Sequence, residues 1–405
     1  MDKLNELPSG WQWAKLGDVC DIVSGSTPNT NVSEYWDGEI SWITPTDLGK
    51  LTDSAINFSQ RKITEKGFKS CSVRKIPTNS VVMSSRAPIG HLAINNIECC
   101  TNQGCKSFIP SSDVDTFYLY FALKINVGEF QRLGTGSTFA EISKTTLANF
   151  EIPLPPLPEQ QRLAKILTEK LALVEQAKQK IEAQVEAAEQ LTAAYLREVF
   201  ESDEAKGWKL VKLGDVCSFE NGDRGENYPS KAVQTSTGIP FINAGHLTDF
   251  GIDFTKMNYI PKDRFDLLGS GKIRKNDILF CLRGSLGKFA SVGDLSEGAI
   301  ASSLIIIRPK ECVLNEFVLA YLQSDLCIKM IDDFRNGAAQ PNLSGENLKN
   351  FKIPLLSIEK QKELATYLSE KIAIVQQLKT TLLAQLENVN QIPSALLKQA
   401  FNGEL

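Results

Sequence analysis

Apolar and polar positions alternate on two different periods along this chain. From residue 1 to about 150 the apolar runs are short, as in Ile40-Ser-Trp-Ile43 and Ser80-Val-Val-Met83, and Gly, Pro or Asn interrupts them. That texture predicts strands and turns with a few helices, one of them near Val114–Ile125. It returns over 207–351, in Ile239-Pro-Phe-Ile242, Asp277-Ile-Leu-Phe-Cys281 and Ser303-Leu-Ile-Ile-Ile-Arg308. Residues 159–200 differ: they hold no Gly or Pro and are rich in the strong helix formers Ala, Glu, Gln, Lys and Leu. Pro153, Pro155, Pro156 and Pro158 forbid an earlier helix start.

Within that segment, apolar or small residues fall alternately four and three apart. The ladder runs through Leu167, Leu171, Val174, Lys178, Ile181 and Val185, and on to Val199. A second ladder runs through Leu368, Ile372, Val375, Lys379, Leu382 and Leu386, and on to Ala400. Both are heptad seams with a lysine at the same rung. Such a narrow seam on a helix of about 60 Å needs a partner helix, and the obvious partner is the other copy. A lysine there either fixes register or snorkels to solvent. Pro393, inside the second ladder, predicts a kink or restart in the last turns of that helix.

The chain is a repeat. Gly10-Trp11, Lys15-Leu-Gly-Asp-Val-Cys20 and Gly25 recur as Gly207-Trp208, Lys212-Leu-Gly-Asp-Val-Cys217 and Gly222, at an offset of 197. Asn149-Phe150-Glu-Ile-Pro153-Leu154 recurs as Asn350-Phe351-Lys-Ile-Pro354-Leu355, at 201, and Gln160 matches Gln361 behind it. Between these anchors agreement thins to points such as Arg86 and Gly90 against Arg283 and Gly287. The frame repeats while the middle diverges. The reading is therefore α+β: two similar globular domains, 1–150 and 207–351, each followed by a helical segment, 151–206 and 352–405.

Charge sharpens the division. Residues 1–150 carry 14 basic and 15 acidic side chains, 207–351 carry 17 of each, and 151–206 carry 7 and 11. The acidity sits on the helix. A near-neutral domain can bind phosphate through one basic face, but it is not expected to hold DNA tightly alone. With 42% apolar and 23% charged residues the chain resembles ordinary globular proteins with real cores, not disordered ones. No apolar run approaches membrane-span length and the N-terminal segment is polar, so no membrane or export is expected. Nine scattered cysteines fit reduced thiols, and with them a cytoplasmic location.

Catalytic signatures are missing. There is no Asn/Asp-Pro-Pro-Tyr/Phe run of an adenine methyltransferase. Gly134-Thr-Gly136 lacks the third glycine of a cofactor loop, and Gly269-Ser-Gly271-Lys272 and Gly284-Ser-Leu-Gly287-Lys288 fail the phosphate-loop spacing and read as turns. His91 and His246 are the only histidines. Cys99, Cys100 and Cys105 near His91 are poorly spaced for one metal ion and have no second-copy equivalent. Cys20 and Cys217, at matching frame positions, read as small buried hydrophobes.

Two diverged globular domains, each followed by a matching long helix, resemble the specificity subunits of type I restriction-modification enzymes. The carrying features are Gly10-Trp11 with Leu16-Gly-Asp-Val19, their repeat at 207–216, and above all Ile152-Pro-Leu-Pro-Pro-Leu-Pro158-Glu-Gln-Gln-Arg162 running into a helix, echoed by Ile353-Pro-Leu-Leu-Ser-Ile-Glu-Lys-Gln361. The resemblance spans essentially the whole chain. It implies that each globular part is a target recognition domain reading one half of a split, asymmetric site on double-stranded DNA. It implies that the helices pair antiparallel as a coiled-coil spacer and dock two DNA methyltransferase subunits, joined by restriction/translocase subunits. It also implies no catalytic residue, metal or cofactor in this chain; S-adenosylmethionine, ATP and Mg would belong to the partners. Antiparallel pairing of equivalent helices relates the two domains by a rough two-fold axis, the local symmetry of duplex DNA.

Loops that follow strands and combine Gly with Ser, Thr, Asn, Gln or Arg are the candidates for DNA contact. In the first domain these offer Ser24, Thr27, Thr44, Thr46, Ser85, Arg86, Thr135 and Ser137; in the second, Arg224, Asn243, His246, Arg283, Ser285, Gln340 and Asn342. Arg86 and Arg283 align across copies, which suits backbone contact, since base readers should differ between copies. Two rival classes are an enzyme with an unrecognised motif and a coiled-coil scaffold for ligands other than DNA.

Overall fold

The structure, a computed structural model, describes residues 7–51, 53–136, 140–248, 251–335 and 342–405. It divides into two compact units, 1–181 with 385–405, and 182–384. Each unit holds one globular part with a stretch of both long helices, so the division cuts through Leu157–Phe200 and Ile358–Phe401 rather than falling between globular and helical segments.

In the first unit, Gln12–Lys15 pairs antiparallel with Glu151–Leu154, closing the globular part where its chain enters and leaves. A five-stranded sheet follows in the order Cys20–Ser24, Cys105–Pro110, Val81–Ser84, Leu92–Asn95, Ala55–Ile56. Its central strand is covered on both faces. Val81 and Met83 enter a core with Phe108, Leu119 and Leu123, while Val82 enters a second core with Val23, Ile43 and Ala93. That division is what the two-residue pleat period dictates. A three-stranded sheet, Arg61–Ile63, Trp36–Ile43 and Cys100–Thr101, lies beside it around buried Trp42.

The second unit repeats the plan on its own residues. Leu210–Lys212 pairs with Lys352–Pro354. A four-stranded sheet runs Cys217–Asn221, Leu304–Pro309, Ile278–Cys281, Phe289–Ser291, and a three-stranded sheet runs Asn258–Ile260, Ile239–Ile242, Ala299–Ile300.

The residues that repeat in the sequence build this frame. Leu16 N–H donates to Phe150 O and Leu213 N–H to Phe351 O, at 2.9 and 2.7 Å. A Cβ at Gly17 would sit 3.0 Å from that of Ala148, and one at Gly214 3.1 Å from that of Lys349, so the tight approach admits glycine best. Buried Gln160 accepts from Asp115 N–H and donates to Asp113 O and Pro155 O; Gln361 accepts from Leu314 N–H and donates to Cys312 O and Leu356 O. Each glutamine ties the start of a long helix to the start of a short one. The matching thiols of Cys20 and Cys217 are buried, and burial pushes both up to about 12, so neither is a thiolate near neutral pH.

Both long helices are 44 residues. The first begins at Leu157, ahead of the start at 159 expected from the prolines: Pro158 is tolerated because a first-turn position makes no intrahelical N–H bond, so proline's missing N–H costs none there. Within each unit their stretches run antiparallel. In the first, Arg162 donates to Leu405 O, and Leu163 and Leu167 share a core with Leu396, Leu397 and Phe401. In the second, Tyr367 Oη donates to Glu198 and Lys379 Nζ lies 2.6 Å from Glu189. The expected restart at Pro393 does not occur: helix Ile358–Phe401 runs through it. Proline costs one backbone bond, whereas the residues beyond it, Leu396, Leu397, Ala400 and Phe401, are all buried and hold the last turns in place.

Candidate nucleic-acid interface

Every seam position is at least half-buried on this framework. Leu167, Leu368, Val375 and Leu382 are buried; Leu171, Val174, Lys178, Ile181, Val185, Ile372, Lys379 and Leu386 are half-buried. Lys379 combines both readings offered for the seam lysines: its stem lies in the seam and its ammonium reaches the rim to pair with Glu189 of the facing helix.

In the first unit, three of the expected loop residues meet in one groove of about 440 Å³. Thr44, Thr46 and Arg86 line it with Gln60, Arg61 and Asn102, which loop composition did not single out. Thr44 is fixed as a helix cap: its hydroxyl accepts from Asp47 N–H, and the Asp47 carboxylate accepts from Thr44 N–H. Thr27 Oγ1 accepts from Asn102 Nδ2 at 2.9 Å, bracing the groove wall. Arg86 lies 3.7 Å from Glu141, whose other oxygen takes the buried Lys106 ammonium at 3.3 Å. Ser85 is buried, its hydroxyl 3.2 Å from Lys106 Nζ, and it serves that pair rather than the surface. Ser24 is exposed at the end of its strand opposite Lys106, outside the groove, and exposed Thr135 bridges Glu141. Ser137 lies outside the described residues.

In the second unit a smaller groove, about 250 Å³, is lined by Arg224 and Arg283 together with Asn221, Ser344 and Lys349. Arg283 Nε donates to Asn342 Oδ1 at 3.1 Å, in the same strand-like bridge that joins Arg86 to Glu141 in the first unit. Arg224 donates to Ser302 O; beside it, backbone N–H groups of Gly225 and Gly269 hold the Asp223 carboxyl below the usual carboxylate range and fix the loop. Ser285 is exposed in the turn after Arg283, where Gly284 and Gly287 take φ of +82° and +81°. Asn243 and His246 go elsewhere. Asn243 Oδ1 accepts from Gly245 N–H, and His246, 7% exposed, accepts from Asn243 N–H through Nδ1 with Nε2 3.2 Å from Lys256 O. That geometry locks a turn. Gln340 lies outside the described residues.

Chemically, the two grooves offer guanidinium, amide and hydroxyl groups in open concavities, a set suited to phosphates and base edges. Among the described residues, no three His, Cys, Asp or Glu side chains gather as a metal site, and no helix is long and apolar enough to cross a membrane. Burial pushes the Cys99 and Cys100 thiols up to about 12.

Comparison with known proteins matches the repeat. The family model described as "Type I restriction modification DNA specificity domain" matches residues 8–187 and again 205–388. The MjaIX type I restriction enzyme specificity subunit of Methanocaldococcus jannaschii is 30% identical, over 99% of this chain and 95% of that one. The EcoKI specificity subunit of Escherichia coli is 20% identical over 99% and 90%. Among solved structures, a chain from a study of assembly and conformational transition in the type I R-M system superposes with a TM-score of 0.81 at 21% identity, covering 99% of this chain and all of that one. The HsdS subunit of Thermoanaerobacter tengcongensis gives a TM-score of 0.63, also at 21% identity, over 100% and 99%. With the family domain present twice and a relative aligned end to end, this chain belongs to the type I restriction-modification DNA specificity family.

Proposed function

We propose that this chain is the non-catalytic DNA specificity subunit of a type I restriction-modification complex. Each globular part recognises one half of a bipartite, asymmetric site on double-stranded DNA, and the paired helices set the gap and dock two methyltransferase subunits. The observation that carries the reading is the duplicated frame arginine: Arg86 or Arg283 lines an open polar concavity in each unit, and the two concavities open on different sides of it with different linings. A shared frame supplies matched phosphate contacts; different linings supply different half-sites.

The helices support the docking part. Leu173 and Ile374, equivalent at the offset of 201, are each 63% exposed; Leu191 and Ile392, equivalent likewise, are 41% and 39% exposed. Leu191 and Ile392 flank the seam and Leu173 and Ile374 lie one step further out on the same side, the flank that antiparallel pairing brings together. Leu173 and Ile392 belong to the first unit, and Leu191 and Ile374 to the second. Duplicated apolar patches suit two copies of one helical protein partner. S-adenosylmethionine, ATP and Mg are assigned to the partner subunits, and the complex they complete would be an adenine methyltransferase and ATP-dependent endonuclease.

Genome-wide adenine methylation, mapped in a host expressing this chain with its methyltransferase subunits, tests the proposal. The expected result is one split motif of two dissimilar half-sites that disappears when the chain is deleted. Methylation independent of the chain, or at a contiguous motif, would overturn it.

A further inference from the structure

The groove of the first unit holds one residue whose setting differs from every other cation near it. Arg61 opens the strand Arg61–Ile63 directly across from Trp42. Its guanidinium carbon lies 4.1 Å from the Trp36 ring centroid and 5.0 Å from that of Trp42, and the two indoles meet edge to face at 5.1 Å. Trp42 is itself pinned by an indole N–H donated to Ser26 O, and Trp36 by one donated to Asn29 O. Among the described residues the Arg61 guanidinium has no carboxylate or hydrogen-bond partner, whereas Arg86 in the same groove is spent in part on Glu141. An aromatic face attracts a guanidinium without consuming its N–H groups. Arg61 is thus held in place with its donor fork free, at the edge of a polar groove.

The second unit supplies a comparison. Strand register makes Phe241 the equivalent of Trp42: Trp42 pairs with Arg61 on one side and Cys100 on the other, and Phe241 pairs with Asn258 and Ala299. An aromatic partner is present there too, supplied by a different element: Tyr228, ahead of the short turn Lys231–Val233, meets Phe241 edge to face at 5.8 Å, whereas Trp36 opens the strand that carries Trp42. The residue laid against it is not kept: Asn258 stands where Arg61 does. A position that changes beside an aromatic pair present in both units is the expected signature of a reader, as the constant Arg86 and Arg283 are of frame contacts.

We propose that Arg61 is a specificity-determining residue of the first unit, donating its paired N–H groups to the major-groove edge of a guanine in that unit's half-site. A fixed guanidinium with two free, parallel donors matches the O6 and N7 acceptors of guanine and no other base edge as well. This rests on the DNA-recognition reading given above.

The test maps methylated sites in cells expressing the full chain with its methyltransferase subunits, as wild type, Arg61→Ala and Arg61→Lys. Expected for both variants is a motif relaxed at one G·C position of one half-site, by tenfold or more in relative site use, with the other half-site and the gap unchanged. Lysine keeps the charge but not the fork, so it separates base reading from phosphate contact. An Arg61→Lys motif identical to wild type, or an Arg61→Ala effect spread evenly over all sites, would overturn the assignment. Co-purification of both variants with the methyltransferase subunits controls for folding. Failure of the underlying reading would look different: wild type itself would direct no split motif.

Discussion

Arg86 and Arg283 stand in equivalent bridges and differ in what holds them, a carboxylate at Glu141 and an amide at Asn342. If both serve DNA phosphates, Arg86→Ala and Arg283→Ala weaken binding evenly across sequences. Each should lower the slope of log affinity against log salt by about one, with the motif intact. Titration of target duplex by the assembled complex at several salt concentrations measures this; a motif change at one base would assign that arginine to reading instead. Glu141 has a second role in the buried Lys106 ammonium, whose side chain is 6% exposed. Strand register places Ile305 of the second unit where Lys106 stands. Glu141→Asn should therefore cost about 2 kcal/mol by stranding a buried charge. Adding Lys106→Ile, which reproduces the second unit's pairing, should recover most of it. Urea midpoints of the single and double variants decide, and strictly additive losses would contradict the coupling. At this scale the sequence was least legible. Ser85, Asn243 and His246 share the composition of DNA-contacting loops, yet their side chains are spent inside turns and pairs. Arg61 went unmarked because an arginine opening a strand is ordinary. Its platform exists only once cross-strand register sets it opposite Trp42.

The long helices were readable as elements because a heptad ladder is local. Leu167 through Val199 and Leu368 through Ala400 recur at spacings that any helix converts into one stripe. What the ladder did not reveal is that Pro393 leaves the second helix unbroken, since that depends on the four buried residues beyond it. If the paired helices act as a ruler, inserting seven residues into each, between Gln176 and Gln184 and between Gln377 and Gln385, preserves the seam. It adds about 10 Å, or roughly three base pairs of DNA rise. Methylation mapping should show the same half-sites that much further apart. An active variant with an unchanged gap would show that the helices do not measure it.

Over the whole molecule, the repeat extends to the residues that close each core. Phe401 packs on Tyr118 in the first unit, with centroids 5.2 Å apart, and Phe200 packs on Phe317 and Tyr321 in the second. Phe200 and Phe401 are equivalent at the offset of 201, as are Leu196 and Leu397. Residues 1–206 lack Leu397 and Phe401, which help close the first core, but they end with the equivalents of both. Two copies should therefore complete each other as an antiparallel homodimer with true two-fold symmetry. With methyltransferase subunits, such a dimer should modify a palindrome of the first unit's half-site, read by methylation mapping alongside light scattering for mass. Monomers at micromolar concentration, or methylation of the original asymmetric site, would contradict the inferred equivalence.

Duplication, two α+β parts, two seam helices and the absence of catalytic signatures were determined by the sequence itself. The first three rest on local periodicity or self-comparison and the last on motif spacing, none of which needs a third dimension. Tertiary structure alone decided which residues of the variable middles face a groove. Side-chain direction there follows from strand register and from pairs such as Lys106 with Glu141, 35 residues apart, or Arg61 with Trp42. Contacts between residues so far apart leave no periodic trace in one sequence. They arise only when the frame built by Gly17, Gln160 and their repeats brings the intervening loops together.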